Sequence, residues 1–345
     1  MTRRRHTTGA HAAMMGCLLA LVAASCAAPE PRVAARRVLA EPIEPTPGPT
    51  PTPSPTPEPT AVPARPVATP TEAPAPAPAP AAGIVAFRGL GAWIDVFDTD
   101  ANAATVLPFV RDMADKGVQT LYLETARYDD AGHFRYPAVV AAALEEAHRL
   151  GMKVVAWYPP DFADVEKDLA RSLAAVRYRS PAGHRFDAFA PDIEYTEGVP
   201  DHDERSTRAV AYSKRLREAA GKSYPMAAIV IPPTSHEINP KRWSGFPWAD
   251  LAPSYDVFMP MNYWTGRPGH DAAMVTELTS RNVSETKRLT GRPVHVIGGV
   301  ADGVDEAEAR AYVTASNDAG SIGGGLYDYR TTSADLYPIL RKLRR

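Results

Sequence analysis

Phe186-Asp187-Ala188-Phe189-Ala190-Pro191-Asp192-Ile193-Glu194-Tyr195 reads as a buried apolar strand that ends in two carboxylates. Side chains alternate faces along a strand, so Asp192 and Glu194 point one way while Ile193 points the other. Two acids converging at the carboxyl end of a strand cost desolvation and mutual repulsion. A fold usually tolerates that arrangement where it forms a site. The competing reading is a strand-end pair solvated in a loop. The rest of the chain favours the site, because it supplies a barrel around the pair.

From about Gly83 to Arg345 roughly 260 residues remain, close to the size of a (β/α)8 TIM barrel. Short β-rich runs alternate with amphipathic helical stretches, the pattern of parallel strands joined by crossover helices. The strands expected are 90–96, 120–124, 153–158, the opening stretch, 226–231, 257–263, 294–298 and 325–328. Helices are expected near 103–116, 137–150, 164–175, 204–220, 272–289, 306–319 and 333–343. The segment Pro232–Pro247, with His236, Glu237 and Trp243, reads as a long loop.

Upstream the chain changes character. Thr2-Arg3-Arg4-Arg5 is a basic start, and the apolar run Met14–Ala24 after it is too short for a comfortable membrane span. The run ends in Leu21-Val22-Ala23-Ala24-Ser25-Cys26, which resembles a bacterial lipobox. Residues 1–25 are therefore expected to be a lipoprotein signal peptide, with Cys26 the lipidated residue. Ordinary signal-peptidase cleavage near Ala24–Ala28, releasing a soluble protein, is the alternative. The chain has two cysteines, and Cys17 lies inside the signal, so the mature protein keeps only Cys26 and can form no internal disulfide.

Residues 26–82 form the next segment. Many of the chain's 35 prolines crowd between Glu41 and Ala82, among Thr, Ala and occasional Glu. Such a segment lacks apolar surface to offset its ordering entropy and is expected to be a disordered spacer. At about 3.1 Å per residue it reaches on the order of 100 Å. The expected arrangement is an exported barrel, residues 83–345, anchored by lipid to the outer face of a bacterial cell membrane. A formal net charge of -2 gives no electrostatic case for nucleic acid.

Chemistry in a TIM barrel sits at the carboxyl ends of the strands. Those ends carry Asp95, Glu124, Asp192, Glu194, Tyr263, Asp302 and Asp328, with Trp157, Tyr158, Trp264 and Tyr327 among them. Acids interleaved with aromatic rings suit a sugar, since rings stack on pyranose faces and carboxylates take hydroxyls or move protons. Singly, each ring is more simply core or rim; the clustering carries the reading.

Asp187, Asp192 and Glu194 fall at the spacing of the strand-four motif DGxDxDxE of the chitinase-like family-18 glycoside hydrolases, which this stretch resembles. Met261-Asn262-Tyr263-Trp264 resembles that family's strand-six Met-x-Tyr-Asp motif. The resemblance implies that Glu194 is the general acid. It implies that Asp192 orients the substrate's own N-acetyl group as nucleophile, and that Tyr263 binds the acetamide oxygen. Asp95, Glu124, Trp157, Tyr158, Glu237, Asn262, Trp264, Tyr327 and Asp328 are the candidate substrate-binding residues. The chain departs from the family at Ala190, where the motif has its middle aspartate, and at Trp264, where strand six has its acid. It has no Ser-x-Gly-Gly near Val154–Pro160, and Tyr327 or Asp328 stands where the family has a tryptophan on strand eight.

The expectation is a glycosidase acting on a polysaccharide or cell-wall glycan, with no cofactor. A membrane-tethered barrel that binds glycan without cleaving it is the alternative. The clusters Asp201-His202-Asp203, His236-Glu237 and His270-Asp271 lack the spacing of a metal site and read as solvated loops.

Overall fold

The computed structural model describes residues 82–343. The expected signal peptide, Cys26 and all but the last residue of the spacer lie outside the described residues. Eight parallel strands close into a barrel in sequence order: β1 Gly89–Ile94, β2 Thr120–Glu124, β3 Lys153–Tyr158, β4 Ala188–Ile193, β5 Ala227–Val230, β6 Val257–Asn262, β7 His295–Gly299 and β8 Gly323–Tyr327. The ring closes where Gly89 and Leu90 pair with Gly323 and Gly324. Around it lie α1 Val106–Asp115, α2 Pro137–Arg149, α3 Val165–Arg177, α4 His202–Ala220, α5 Pro233–Ile238, α6 Trp248–Leu251, α7 Ala272–Thr290, α8 Glu306–Asp318 and α9 Tyr337–Leu340. No helix among the described residues is long and apolar enough to cross a membrane.

The helix starts follow from side chains that accept orphan backbone N–H groups. Asp164, Asp201, Asp271 and Asp305 cap α3, α4, α7 and α8, and Asp305 completes a capping box with Glu308. At the other end of α7, Gly291 takes a left-handed φ of 65° that a residue with a Cβ adopts only under strain.

Side chains on the inner face fill the barrel. Trp93 of β1 stacks on Tyr122 of β2 at 4.2 Å, and Tyr122 meets the buried His295 ring of β7. His295 Nδ1 donates to Phe87 O at 2.9 Å, and burial pushes its pKa down to about 4, so the core imidazole is neutral.

Three expectations change. Pro232–Pro247 is not one loop, because α5 forms at its start. The last helix is only a 3-10 turn, Ala334–Leu336, leading into the four residues of α9. The eighth strand begins two residues early, at a triple glycine. A Cβ on Gly323 would stand 2.6 Å from Gly89 O, and one on Gly325 would collide with Gly91 O. Poor strand formers thus pair here because only they let β1 and β8 close the ring.

Candidate active site

The inner-face alternation of β4 carries Asp192 and Glu194 to the mouth. Asp192 is 8% exposed, and its Oδ1 is buried without a hydrogen-bond partner among the described residues. Burial, then the charges of Glu194 and Glu124, push its carboxyl well above the usual carboxylate range. Tyr263, just past β6, joins them. Burial and the fields of Glu194, Asp192 and Asp328 hold its hydroxyl well above an ordinary phenol, so it is a hydrogen-bond donor. On β2, Glu124 Oε2 accepts from Val96 N at 2.9 Å. Burial pushes Glu124 up to about 8, with the Val96 hydrogen bond opposing and Asp95 adding.

A second acidic group adjoins these. Tyr327 Oη donates to Asp95 Oδ2 at 2.8 Å, while Asp95 Oδ1 accepts from Phe97 N at 2.7 Å. Asp98 Oδ2 accepts from Asp95 N, and Asp328 Oδ1 accepts from Thr331 N. Burial, then Asp95 and Asp328, push Asp98 up to about 7. Asp95, Asp98 and Asp328 are the set among the described residues able to offer a metal three oxygens within 4.8 Å of one another. Turn N–H groups and the Tyr327 hydroxyl already take several of those lone pairs, so the set reads as hydrogen-bonded turn acids.

Beneath the acids lies an aromatic floor. Trp157 meets Trp93 edge-on at 6.0 Å and Tyr327 at 6.5 Å, and Tyr327 lies 6.1 Å from Tyr263. The structure therefore brings together Asp95, Glu124, Trp157, Asp192, Glu194, Tyr263, Tyr327 and Asp328.

Five other residues expected at the mouth or in the site are elsewhere. Trp157 faces inward, so its neighbour Tyr158 faces the helices, where it bonds Asp168 and lies 3.3 Å from Arg171. Asn262 also points outward: its Nδ2 donates to Thr279 Oγ1 at 2.7 Å, and its Oδ1 accepts from Asn282 of α7. Trp264 is fully buried against Tyr312 of α8. Glu237 lies on the exposed side of α5, paired with Arg281 at 2.7 Å. Asp302 is exposed in a turn after β7. Of the acid–histidine clusters, His270 pairs with Glu308, and His202 Nδ1 accepts from Ser244 N at 2.8 Å.

Arg242, from the segment after α5, is a mouth residue that sequence reasoning missed. Its guanidinium donates to Glu194 Oε2 at 2.9 Å across 48 residues of chain. Its position depends on Arg205, a buried residue of α4 that donates to Arg242 O and to Thr196 O, Val199 O and Pro200 O. One guanidinium thus fixes both the loop after Glu194 and the segment holding its counterion. Asp187 lies at the opposite end of the barrel, at the foot of β4.

No protein-family model matches the chain, and no curated protein sequence matches it. Solved structures do match. The Bacillus cereus spore cortex-lytic enzyme SleL is similar at 10% identity and a TM-score of 0.56, over 75% of this chain and 74% of that one. The PgaB (BpsB) glycoside hydrolase domain from Bordetella bronchiseptica is similar at 12% identity and 0.53, over 74% and 99%. A chitinase from Chromobacterium violaceum is similar at 9% identity and 0.52, over 74% and 98%. At such identities the likeness is one of fold: residues 82–343 form a (β/α)8 barrel of the kind seen in these glycan-hydrolase structures.

Proposed function

We propose that this chain is a glycoside hydrolase that cleaves a polysaccharide of N-acetylated amino sugars. The observation that carries the reading is Asp192: a buried acid whose Oδ1 has no hydrogen-bond partner among the described residues, on the same face of the β4 segment as Glu194 and close to Tyr263. A fold with no use for Asp192 has no reason to keep an unpartnered carboxyl in the dry. In the proposed reaction Glu194 protonates the leaving glycosidic oxygen. The substrate's acetamide oxygen, oriented by Asp192 and by the Tyr263 hydroxyl, attacks the anomeric carbon as the glycosidic bond breaks. Water then opens the cyclic intermediate and returns the proton. Arg242 binds the Glu194 carboxylate at 2.9 Å, while burial and the Glu194 charge favour the protonated form of Asp192. For Glu194 to act as the acid it must leave Arg242 and take up a proton.

The Arg242–Glu194 ion pair also favours a second reading, a barrel that binds glycan without cleaving it. Wild type and Glu194→Gln, incubated with amino-sugar polymers and cell-wall glycans, separate the two. A fall of about 100-fold or more in turnover with binding retained supports the acid role. Equal turnover removes Glu194 from the chemistry, and binding without turnover in both leaves a lectin-like protein.

For location the proposal is a lipid anchor at Cys26 on the outer face of a bacterial membrane. Cys26→Ser is expected to move the protein from the membrane to the soluble fraction. Unchanged membrane association rules that anchor out.

A further inference from the structure

Beside the acids, the mouth loops carry rings and a guanidinium in succession. Phe97, two residues past Asp95, is 47% exposed, one of three large hydrophobic side chains left in water among the described residues. Arg127, from the loop after β2, places its guanidinium carbon 5.1 Å from the Phe97 ring centre and 5.3 Å from that of Tyr128. Tyr128 in turn packs on Tyr195, with ring centres 4.4 Å apart and hydroxyls 2.7 Å apart. Tyr195 directly follows Glu194 in the chain, so the series runs from the lip of the barrel to the segment that carries the acid pair.

Two further features say what this surface takes. It is fixed in advance: Arg171, buried on α3, donates to Tyr128 O at 2.7 Å, to Gly132 O at 3.2 Å and to Asp130 O. A surface ordered before binding avoids the entropy of ordering it afterwards. It is also charge-compensated. Arg127 meets Asp129 at 3.3 Å, and Arg135, which also lies over Phe97, meets Asp130 at 3.4 Å. A polyanion gains little from arginines already paired, whereas an uncharged sugar can set its apolar C–H face on a ring and its hydroxyls on guanidinium N–H groups.

We infer that Phe97, Arg127 and Tyr128 form a rail that holds uncharged pyranose units of the polysaccharide chain, extending the site from the acids towards β1 and β2. The inference deepens the hydrolase reading and rests on it only for where the chain runs.

The test measures binding in full-length Glu194→Gln protein, so no outcome depends on turnover. The probes are glycol chitin, an uncharged soluble polymer, its disaccharide unit diacetylchitobiose, and carboxymethyl chitin as a polyanion. Adding Phe97→Ala is expected to weaken glycol chitin binding roughly five- to tenfold and disaccharide binding less than about twofold, while Phe97→Trp restores polymer affinity. Unchanged glycol chitin binding in the alanine variant overturns the rail. So does equal loss with Ala and Trp, which marks Phe97 as structural, or a preference for carboxymethyl chitin that depends on Phe97. Absence of glycol chitin binding before Phe97 is changed also overturns it. If the rail behaves as expected but wild type cleaves none of these glycans, the rail stands and the hydrolase reading falls.

Discussion

Two aspartates on the β4 segment, five positions apart, have opposite surroundings. At the foot of the barrel Asp187 accepts from Val154 N at 2.9 Å, lies 2.9 Å from His148 Nε2 and is paired with Lys153 Nζ at 3.0 Å. Burial alone would raise its carboxyl, but those partners outweigh burial and hold it below the usual carboxylate range. At the mouth Asp192 is more deeply buried, has an Oδ1 with no hydrogen-bond partner among the described residues, and is pushed the other way. The same strand supplies one acid whose desolvation is offset and one whose desolvation is not. The first is what stability asks of a buried carboxylate. The second persists against stability, which is why the mouth and not the foot is the place to look for chemistry.

Replacing Asp192 tests that contrast most severely. Asp192→Asn is expected to reduce glycan cleavage about 100-fold or more, as loss of a group that works on the reacting atoms does. The same change is expected to stabilise the protein by about 0.5–2 kcal/mol near pH 7. The sign follows from linkage. A carboxyl raised in the folded state keeps a proton that the unfolded chain releases above about pH 4, so stability falls as pH climbs from there towards the folded value. Asparagine removes that slope, and melting curves at pH 4 and pH 7 should diverge only at the higher pH. Normal cleavage, or a loss of stability at pH 7, would dissolve the distinction between the two aspartates.

Much of the architecture was legible because it is written locally. The period-2 runs and the glycine and proline stops placed all eight strands within about two residues of the observed bounds. One of the two-residue misses, the start of β8, falls on three glycines, which leave no side-chain pattern to read. Within the site, the Asp192–Glu194 face was visible from alternation alone. The same rule, applied to Trp157-Tyr158 and to Asn262-Tyr263-Trp264, admits only one face of each run to the mouth and sends Tyr158, Asn262 and Trp264 to the helices. Arg242 could not be found that way. Its partner lies 48 residues back, and only the folded loops, with Arg205 beneath them, bring the two together. Phe97 and Arg127 meet for the same non-local reason.

At the foot of the barrel the expected effect on cleavage is far smaller, and the effect on stability is opposite in sign. Asp187→Asn keeps one oxygen for Val154 N but loses the anionic acceptor that faces His148 and Lys153. The His148 ring is itself 2.8 Å from His184 Nδ1, so its orientation is disturbed as well. A loss of about 1–3 kcal/mol is expected near neutrality, read as a lower urea midpoint with the slope unchanged. Because the folded-state carboxyl is depressed, its contribution is fully present above about pH 4 and is lost as pH falls through the folded value. The wild-type and variant midpoints should therefore converge at acid pH, as for the mouth variant, but near pH 7 this variant lies below wild type where the mouth variant lies above it. Cleavage, measured well below the melting temperature, should stay within about twofold of wild type, since Asp187 lies roughly 16 Å down the strand from Asp192. A loss of cleavage as deep as that of Asp192→Asn, with the midpoint unmoved, would make the foot part of the site and end the comparison.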